Sequence, residues 1–154
     1  MEEEDILERL KETFKGKIRE GNIPRKRRIF LHVNEEALRE VLDYITNEMG
    51  IKHLSTITGV DLEEQIELIY HLAYEGRIEL SVKVRIPKER LSIPTITDLI
   101  PGAVLYEREV HDLFGVEFVG HPDLSPLILP EKWLREVYPL RKNVKLENLR
   151  KLAR

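Results

Sequence analysis

Two histidines and several carboxylates lie close together between residues 106 and 123, and these side chains have the clearest capacity for chemistry. Glu107 and His111 are four residues apart, a spacing that on a helix allows both to bind one metal ion. His121 and Asp123 follow a few residues later and would complete a ligand set. One hypothesis is therefore a free-standing metal-dependent enzyme that uses these four residues. The other is a structural network of ion pairs, which needs no metal.

The first part of this stretch is predicted to be a short helix. The turn pair Pro101-Gly102 precedes it, no residue from 103 to 114 breaks a helix, and Gly115 is suited to ending it. At about 100° per residue, one face is apolar and should lie on the chain's own core. Arg108 and Asp112 fall on the opposite face, four residues apart, and can pair. The apolar face comprises Ala103, Tyr106, Val110, Leu113 and Phe114.

A rigid loop is predicted after this helix. His121 precedes Pro122, and a residue before proline is held in an extended conformation. Asp123 can cap a turn through its side chain. We therefore expect this loop to hold an imidazole and a carboxylate in fixed positions.

Short motifs run in order through residues 93 to 140, and together they resemble a known signature. They are Ile93 to Asp98, Pro101 to Ala103, Tyr106 to Glu109, Asp112 to Val116, Gly120 to Leu124 and Tyr138 to Leu140. This series resembles the thirty-kilodalton subunit family of complex I, which is also known as the C subunit of NADH–quinone oxidoreductase. The family includes the related small subunit of energy-converting, membrane-bound nickel–iron hydrogenases.

The resemblance implies a non-catalytic peripheral-arm subunit of a complex I-like membrane-bound oxidoreductase. Such a subunit would brace the large, hydrogenase large-subunit-like catalytic subunit and the iron–sulfur subunits during electron transfer coupled to ion translocation. Iron–sulfur clusters, and nickel–iron or quinone, would then belong to partner subunits and not to this chain. The chain would lie in the cytoplasm, peripheral to the cytoplasmic membrane through its complex. No nucleic-acid partner is expected.

The resemblance also implies which residues contact partners. Glu107, Arg108, Glu109 and Asp112 are expected to form a semi-buried charge network at the subunit contact, with the 121–123 loop locking the chain that follows. The full set of expected contact residues is Glu107, Arg108, Glu109, Asp112, Phe114, Gly115, His121, Pro122, Asp123, Trp133, Arg135, Tyr138 and Pro139.

Three positions depart from the family's usual pattern. Ile100 and Leu105 stand where tryptophans are usual near the Pro-Gly turn, and Ser125 stands where arginine usually follows the His-Pro-Asp-Leu motif. The late motif is also altered, because Glu136-Val137 precedes the Tyr-Pro-Leu run. These differences favour a divergent branch, such as an archaeal-type membrane-bound hydrogenase or a relative of it.

Composition limits the other possibilities. The 154 residues are 42% hydrophobic and 34% charged, with a net charge of −3, which predicts one soluble, intracellular domain. Cysteine is absent, so the chain supplies no disulfide, thiolate nucleophile or cysteine-ligated cluster. No apolar run approaches the roughly 18 residues of a membrane span, and the acidic start is not a secretory signal. The high charge fraction and the lack of cysteine are typical of a thermophile.

The order of elements predicts an α+β fold with a mixed sheet of about four strands and helices packed on one face. Acidic residues 2–13 form a helix, residues 21–24 a turn, and Asn34 caps a helix that runs to about Met49. Alternation over residues 64–74 and 78–86 predicts a hairpin, with a strand before it at residues 51–61. Residues 1–90 would be the α/β core, residues 91–140 the signature helix with an extended docking segment, and residues 141–154 a basic tail.

The docking segment is rich in proline and in apolar side chains. Seven of the eight prolines lie at or beyond residue 87, so little regular structure is expected apart from the short helix. We expect its apolar residues partly to wrap back on the domain and partly to meet another protein. They are Leu124, Leu127, Ile128, Leu129, Trp133 and Leu134.

The run Arg25-Lys26-Arg27-Arg28 is the one compact basic cluster. It is interpreted either as a solvated loop at a strand edge or as a contact for phosphate or an acidic partner. No aromatic residue is interleaved with it, which weakens the hypothesis of a nucleic-acid-binding module. The basic tail has the same two interpretations, a frayed end or an arm on an acidic groove. His32, His53 and His71 lie singly in strands and are assigned to packing or to the surface.

Overall fold

The computed structural model describes residues 1–152 and is built on a five-stranded mixed sheet. The strand order is β1-β2-β5-β4-β3, and a separate pair of short parallel strands, β6 and β7, lies beside it. The predicted α+β class is confirmed, with five strands in the main sheet where about four were expected. The strands are β1 Ile18–Arg25, β2 Arg28–Val33, β3 His53–Asp61, β4 Gln65–Tyr74, β5 Ile78–Pro87, β6 Ser92–Pro94 and β7 Glu117–Val119.

The β4–β5 hairpin forms where alternation of apolar and polar residues predicted it. Leu68 lies opposite Val84, and Tyr70 lies opposite Val82, so the apolar side chains of both strands share one buried face. The turn between the strands contains Glu75 and Gly76, both with positive φ. Glycine takes that backbone conformation without steric cost, which explains its place in the turn.

The extra strand is β1, and it corrects the predicted turn at residues 21–24. Those residues lie within an edge strand paired with β2, and two register shifts accommodate their irregular sequence. Pro24 is tolerated because an edge strand does not need every N–H for its ladder. At Gly21 an added Cβ would lie 2.8 Å from Leu7 Cδ1, so the glycine allows the first helix to approach the strand.

Four α-helices accompany the sheet within the described residues. The predicted helix ending near Met49 is three successive segments: a 3-10 turn at Glu35–Ala37, the α-helix α2, and a π-helical segment at Tyr44–Glu48. Asn34 precedes it, but its side chain does not cap the helix as expected. Its Oδ1 instead accepts a hydrogen bond from Arg19 Nε at 2.7 Å. The helices are α1 Glu3–Thr13, α2 Leu38–Asp43, α3 Ala103–Phe114 and α4 Leu146–Leu152.

Helix α3 is fixed between the two sheets. Phe114 lies against β3 at Gly59, where an added Cβ would lie 2.6 Å from the aromatic ring. Strands β6 and β7 pair in parallel on either side of α3 in sequence, so the helix is held at both ends. The chain then continues from residue 120 to residue 145 without a helix or strand. No helix between residues 1 and 152 combines the length and apolar character that crossing a bilayer would require.

Candidate partner-binding surface

Residues 120–145, here called the strap, lie against helix α3 and form the candidate site. The helix ends at Gly115, whose φ of 81° is left-handed and whose N–H donates to the carbonyl of His111 at 2.9 Å. This is a common way to end a helix, because glycine takes the left-handed conformation freely. The chain can then return along the helix by way of β7.

Arg108 holds the beginning of the strap. Its Nε donates to the carbonyl of Ser125 at 3.1 Å, and its Nη2 donates to the carbonyl of Pro126 at 3.0 Å. No ion pair between Arg108 and Asp112 exists in the described chain, so the pairing that their spacing allows does not form. The strap supplies better-placed partners to each of the two side chains, and they separate.

Asp112 binds the middle of the strap. Its Oδ2 accepts hydrogen bonds from three successive backbone N–H groups, those of Leu127 at 2.9 Å, Ile128 at 2.8 Å and Leu129 at 3.2 Å. The residue is only 6% exposed, so the three donors are what stabilise a carboxylate there. One side chain thereby fixes the path of a segment that has no secondary structure of its own.

The end of the strap covers the C-terminus of α3. The N–H of Leu140 donates to the carbonyl of Leu113 at 3.1 Å, and Arg141 Nε donates to the carbonyl of Phe114 at 2.8 Å. These carbonyls have no partner within the helix, so the strap satisfies acceptors that would otherwise need water. The Arg141 guanidinium also lies 4.5 Å from the ring centroid of Tyr138, a cation–π contact.

A final connection joins the strap to the main sheet. The N–H of Lys142 donates to Asp61 Oδ2 at 2.8 Å, at the end of β3. Burial disfavours the charged carboxylate of Asp61, but hydrogen bonds from Lys88 Nζ and from the N–H groups of Lys142 and Glu63 outweigh it and lower its pKa to about 2. Sequence reasoning missed Asp61, because its partner is 81 residues away and no local pattern marks the contact.

Glu107 faces the interior and not a subunit contact. It is fully buried, its Oε2 accepts from Thr95 Oγ1 at 2.5 Å, and its Oε1 accepts from the N–H of Ile96 at 2.8 Å. Burial raises the pKa of this carboxyl, although the two hydrogen bonds oppose that effect. The expected semi-buried charge network at the subunit contact is therefore wrong for Glu107, which instead joins α3 to the segment after β6.

His121 fixes the loop at the start of the strap. Its side chain is fully buried, its Nε2 lies 3.0 Å from the carbonyl of Val104, and its Nδ1 lies 3.0 Å from the N–H of Asp123. A carbonyl only accepts and an N–H only donates, so this geometry selects the neutral tautomer protonated at Nε2. Asp123 Oδ1 accepts from the N–H of Ser125 at 2.9 Å, and this bond lowers the pKa of Asp123.

The four residues of the metal-enzyme hypothesis do not converge. His111 Nδ1 lies 2.8 Å from the carbonyl of Val116, while the Nε2 of His121 lies 3.9 Å from Glu107 Oε2. Asp123 is exposed and turned toward Ser125. Within residues 1–152, no three histidine, aspartate or glutamate side chains are grouped closely enough to hold a metal ion. The geometry thus does not favour this alternative.

Large apolar side chains are exposed on the outward side of α3 and the strap. Trp133 is half-buried, and its Nε1 donates to the carbonyl of Val137 at 2.8 Å. Among the other expected contact residues, Arg135 is exposed, and Glu109 and Pro139 are half-buried. A cavity of about 390 Å³ lies between the helix and the strap, next to Trp133 and Tyr138. Five large apolar side chains are 41–54% exposed: Leu105, Leu127, Ile128, Leu134 and Leu140.

Comparison with known proteins identifies the family. The profile described as "Respiratory-chain NADH dehydrogenase, 30 Kd subunit" matches residues 31–149. The chain belongs to this family. The resemblance seen in residues 93 to 140 is thus confirmed, and the match to the thirty-kilodalton subunit family extends through most of the main sheet.

Relatives in the thirty-kilodalton subunit family come from different complexes. The chain is 34% identical over 146 residues to the C subunit of the F(420)H(2) dehydrogenase of Methanosarcina mazei, covering 93% of this chain and 92% of that protein. It is 36% identical over 122 residues to the C subunit of the NADH-quinone oxidoreductase of Roseiflexus castenholzii, covering 75% of this chain and 69% of that protein.

Two solved structures share the fold of this member of the thirty-kilodalton subunit family. One is a chain of the membrane-bound sulfane sulfur reductase, an archaeal respiratory membrane complex, with 34% identity and a TM-score of 0.85 over 96% of this chain and 89% of that one. The other is the trypsin-resistant fragment (1-134) of Nqo5, with 30% identity and a TM-score of 0.69 over 80% of this chain and all of that fragment.

Proposed function

We propose that this chain is a non-catalytic peripheral-arm subunit of a membrane-bound, complex I-like oxidoreductase. In that role it braces the large catalytic subunit and the iron–sulfur subunits while they carry out electron transfer coupled to ion translocation. Support comes from relatives that are named as subunits of respiratory enzymes. The chain then lies on the cytoplasmic side and reaches the membrane only through its complex.

The observation that carries this proposal is the way the strap is held. Arg108 and Asp112 bind mainly backbone groups of the strap, and Arg108 Nη2 also donates to Ser125 Oγ at 3.3 Å. They therefore fix its course without using its apolar side chains. Ile128 and Leu134 remain about half exposed. Burying such a side chain contributes on the order of 1 kcal/mol, so a few of them together give a substantial contact. The strap therefore presents a preformed apolar surface to a partner.

Redox cofactors belong to the partners in this proposal. The chain has no cysteine, which is the usual ligand of iron–sulfur clusters, so electrons pass through neighbouring subunits. Those subunits contain the iron–sulfur clusters, and they also contain the nickel–iron or quinone site. The relatives are named for F420H2, NADH–quinone and sulfane sulfur chemistry. The hydrogenase branch suggested by the departures in the signature stays a prediction.

Co-purification with the large subunit tests the proposal. Ile128→Asp and Leu134→Asp place a charge on the exposed side of the strap without removing any of its hydrogen bonds. We expect each change to reduce recovery of this chain with a tagged large subunit at least tenfold. The melting temperature of the isolated chain should stay within about 2 °C of wild type, as is usual for an exposed position.

A matched control separates this effect from a general loss of solubility. Leu62→Asp alters a side chain that is 38% exposed in the β3–β4 turn, and it should co-purify normally. Normal assembly of both strap variants would contradict the proposal. So would an equal loss in the Leu62→Asp control.

A further inference from the structure

A basic groove lies at one end of the main sheet, away from the strap. It forms because β2 and β5 pair in parallel, with Arg28 opposite Glu79, so the turns that precede the two strands meet at the same edge. The N–H of Glu79 donates to the carbonyl of Arg27 at 3.0 Å and joins the two turns directly. The groove has a volume of about 460 Å³, and Ala73, Gly76 and Ile78 contribute small or apolar lining.

Five cationic side chains surround this groove, and within residues 1–152 two of them form ion pairs. Arg28 pairs with Glu79, and Arg77 pairs with Glu75 at 2.6 Å. In the part of the chain that the structure describes, the side chains of the three exposed residues Arg25, Lys26 and Arg27 form no ion pair. Holding several like charges in one concave place is costly unless an anion compensates them.

Nearby acidic residues show what kind of anion fits. The side chain of Glu3 accepts a hydrogen bond from the backbone N–H of Arg27. That N–H is therefore not available to bind a phosphate. Glu2 is close enough to act on the charge of Arg77. A long polyanion such as nucleic acid, or a flat anionic bilayer, would have to lie against the acidic N-terminus of α1, and this disfavours both. A short acidic segment fits among the cations, and arginine forks suit carboxylates.

We infer that the groove formed by Arg25, Lys26, Arg27 and Arg77 is a second docking surface, which takes a short acidic polypeptide segment of another subunit. Asp61, where the strap is tied, and the groove lie at opposite ends of β4. Ala73 lies seven positions along the strand from Ile66, which is opposite Asp61, a distance of about 23 Å. The groove and the strap therefore make separate contacts.

Binding of a fluorescent hexaglutamate peptide to the full chain tests this inference. We expect saturable binding that weakens as salt is raised. In the double variant Arg25→Ala/Lys26→Ala the affinity should fall at least fivefold. The control Lys11→Ala/Lys15→Ala removes two exposed cations from the α1 region and should stay within twofold of wild type. Equal weakening in both double variants, or no binding by wild type, would overturn the inference.

Two further measurements identify the source of the anion. Tighter binding to inorganic phosphate, or to vesicles of one part phosphatidylserine and two parts phosphatidylcholine, than to the peptide would overturn the inference in favour of that ligand. In the intact complex, zero-length carbodiimide coupling should join Lys26 to an aspartate or glutamate of another subunit. Coupling of Lys26 only to the acidic start of its own chain would contradict it. Strap variants such as Ile128→Asp leave the peptide result unchanged, so this inference and the proposed function fail separately.

Discussion

The ring of Tyr138 lies so close to Gly115 that a β-carbon at position 115 would come within 2.5 Å of it. The glycine therefore has two functions, since its left-handed backbone ends α3 and its missing side chain makes room for the strap. The ring of Tyr138 also contacts the guanidinium of Arg141, whose Nε donates to the carbonyl of Phe114 at the end of α3. Helix termination and strap attachment are one arrangement.

Gly115→Ala should destabilise the chain through both functions. The left-handed conformation alone costs a non-glycine residue about 1–2 kcal/mol, and overpacking against Tyr138 adds about 1–3 kcal/mol. Gly50→Ala is the matched control, because Gly50 also has positive φ but has open space around it. Urea unfolding should give the larger loss for Gly115→Ala. Equal losses in the two variants would mean that the contact with Tyr138 contributes nothing.

Asp112→Ala should release the middle of the strap while the sheet stays folded. Three backbone N–H groups lose a common acceptor, and the segment has no ladder of its own to replace it. Limited trypsin digestion after Lys132 and Arg135 should accelerate at least tenfold. Glu109→Ala, which removes a half-buried carboxyl from the same helix, should be cleaved at the wild-type rate. A strap in Asp112→Ala that resists trypsin as wild type does would show that other contacts suffice.

Glu107 should make stability depend on pH. Burial raises its pKa above the ordinary 4.5, so the folded chain keeps a proton that the unfolded chain has released. Its contribution is fully present below pH 4.5 and is lost as pH rises through the folded-state pKa. Glu107→Gln cannot ionise, and its amide can still accept from Ile96 and donate to Thr95. We expect its free energy of unfolding to increase relative to wild type between pH 5 and pH 8.

A control for this pH prediction uses the neighbouring helix residue. Glu109→Gln changes a half-buried carboxyl and should follow the wild-type pH profile. Denaturant unfolding at several pH values gives the three curves. If the free energies of unfolding of Glu107→Gln and wild type run parallel with pH, the proposed role of burial is refuted. The nearby charged or titratable groups that also act on Glu107 are His121 and Asp98.

Tyr70→Phe should leave stability unchanged or raise it by about 1 kcal/mol, because removing a buried hydroxyl without a partner relieves a desolvation cost. The Tyr70 hydroxyl is fully buried and has no hydrogen-bond partner in residues 1–152, and burial raises its pKa. Tyr44→Phe is the contrasting variant, since the Tyr44 hydroxyl accepts from Arg9 Nε at 2.8 Å and its loss should lower the free energy of unfolding. A stability loss in Tyr70→Phe as large as that in Tyr44→Phe would contradict this account.

Local patterns in the sequence were enough to predict several elements. The β4–β5 hairpin and α3 follow from alternation, helical periodicity and glycine stops, all of which act over a few residues. Strand β1 was missed because Gly21 and Pro24 indicate a turn, and only pairing with β2 makes them part of an edge strand. Tertiary contact overrides weak local preference in such places.

The site was harder to predict because its partners are distant in sequence. Helical spacing indicated Arg108, four residues away, as a partner for Asp112. The groups that donate to Asp112 in the structure lie 15 to 17 residues downstream. Glu107 was expected in a semi-buried charge network at the subunit contact, whereas donors from Thr95 and Ile96 allow it to be fully buried inside the chain. Helical spacing shows which side chains share a face, but it does not show which other segment reaches them.

The strap is anchored mainly through its peptide groups, and this leaves its outward side chains free to change. Apart from the contact of Arg108 Nη2 with Ser125 Oγ, Arg108 and Asp112 contact carbonyls and N–H groups that any residue at positions 125 to 129 would offer, except a proline at a donor position. Ser125, where the family usually has arginine, keeps the carbonyl that Arg108 binds. Substitution of exposed strap residues can thus adapt the same fold to partner subunits of different shape, while the backbone path of the strap stays the same.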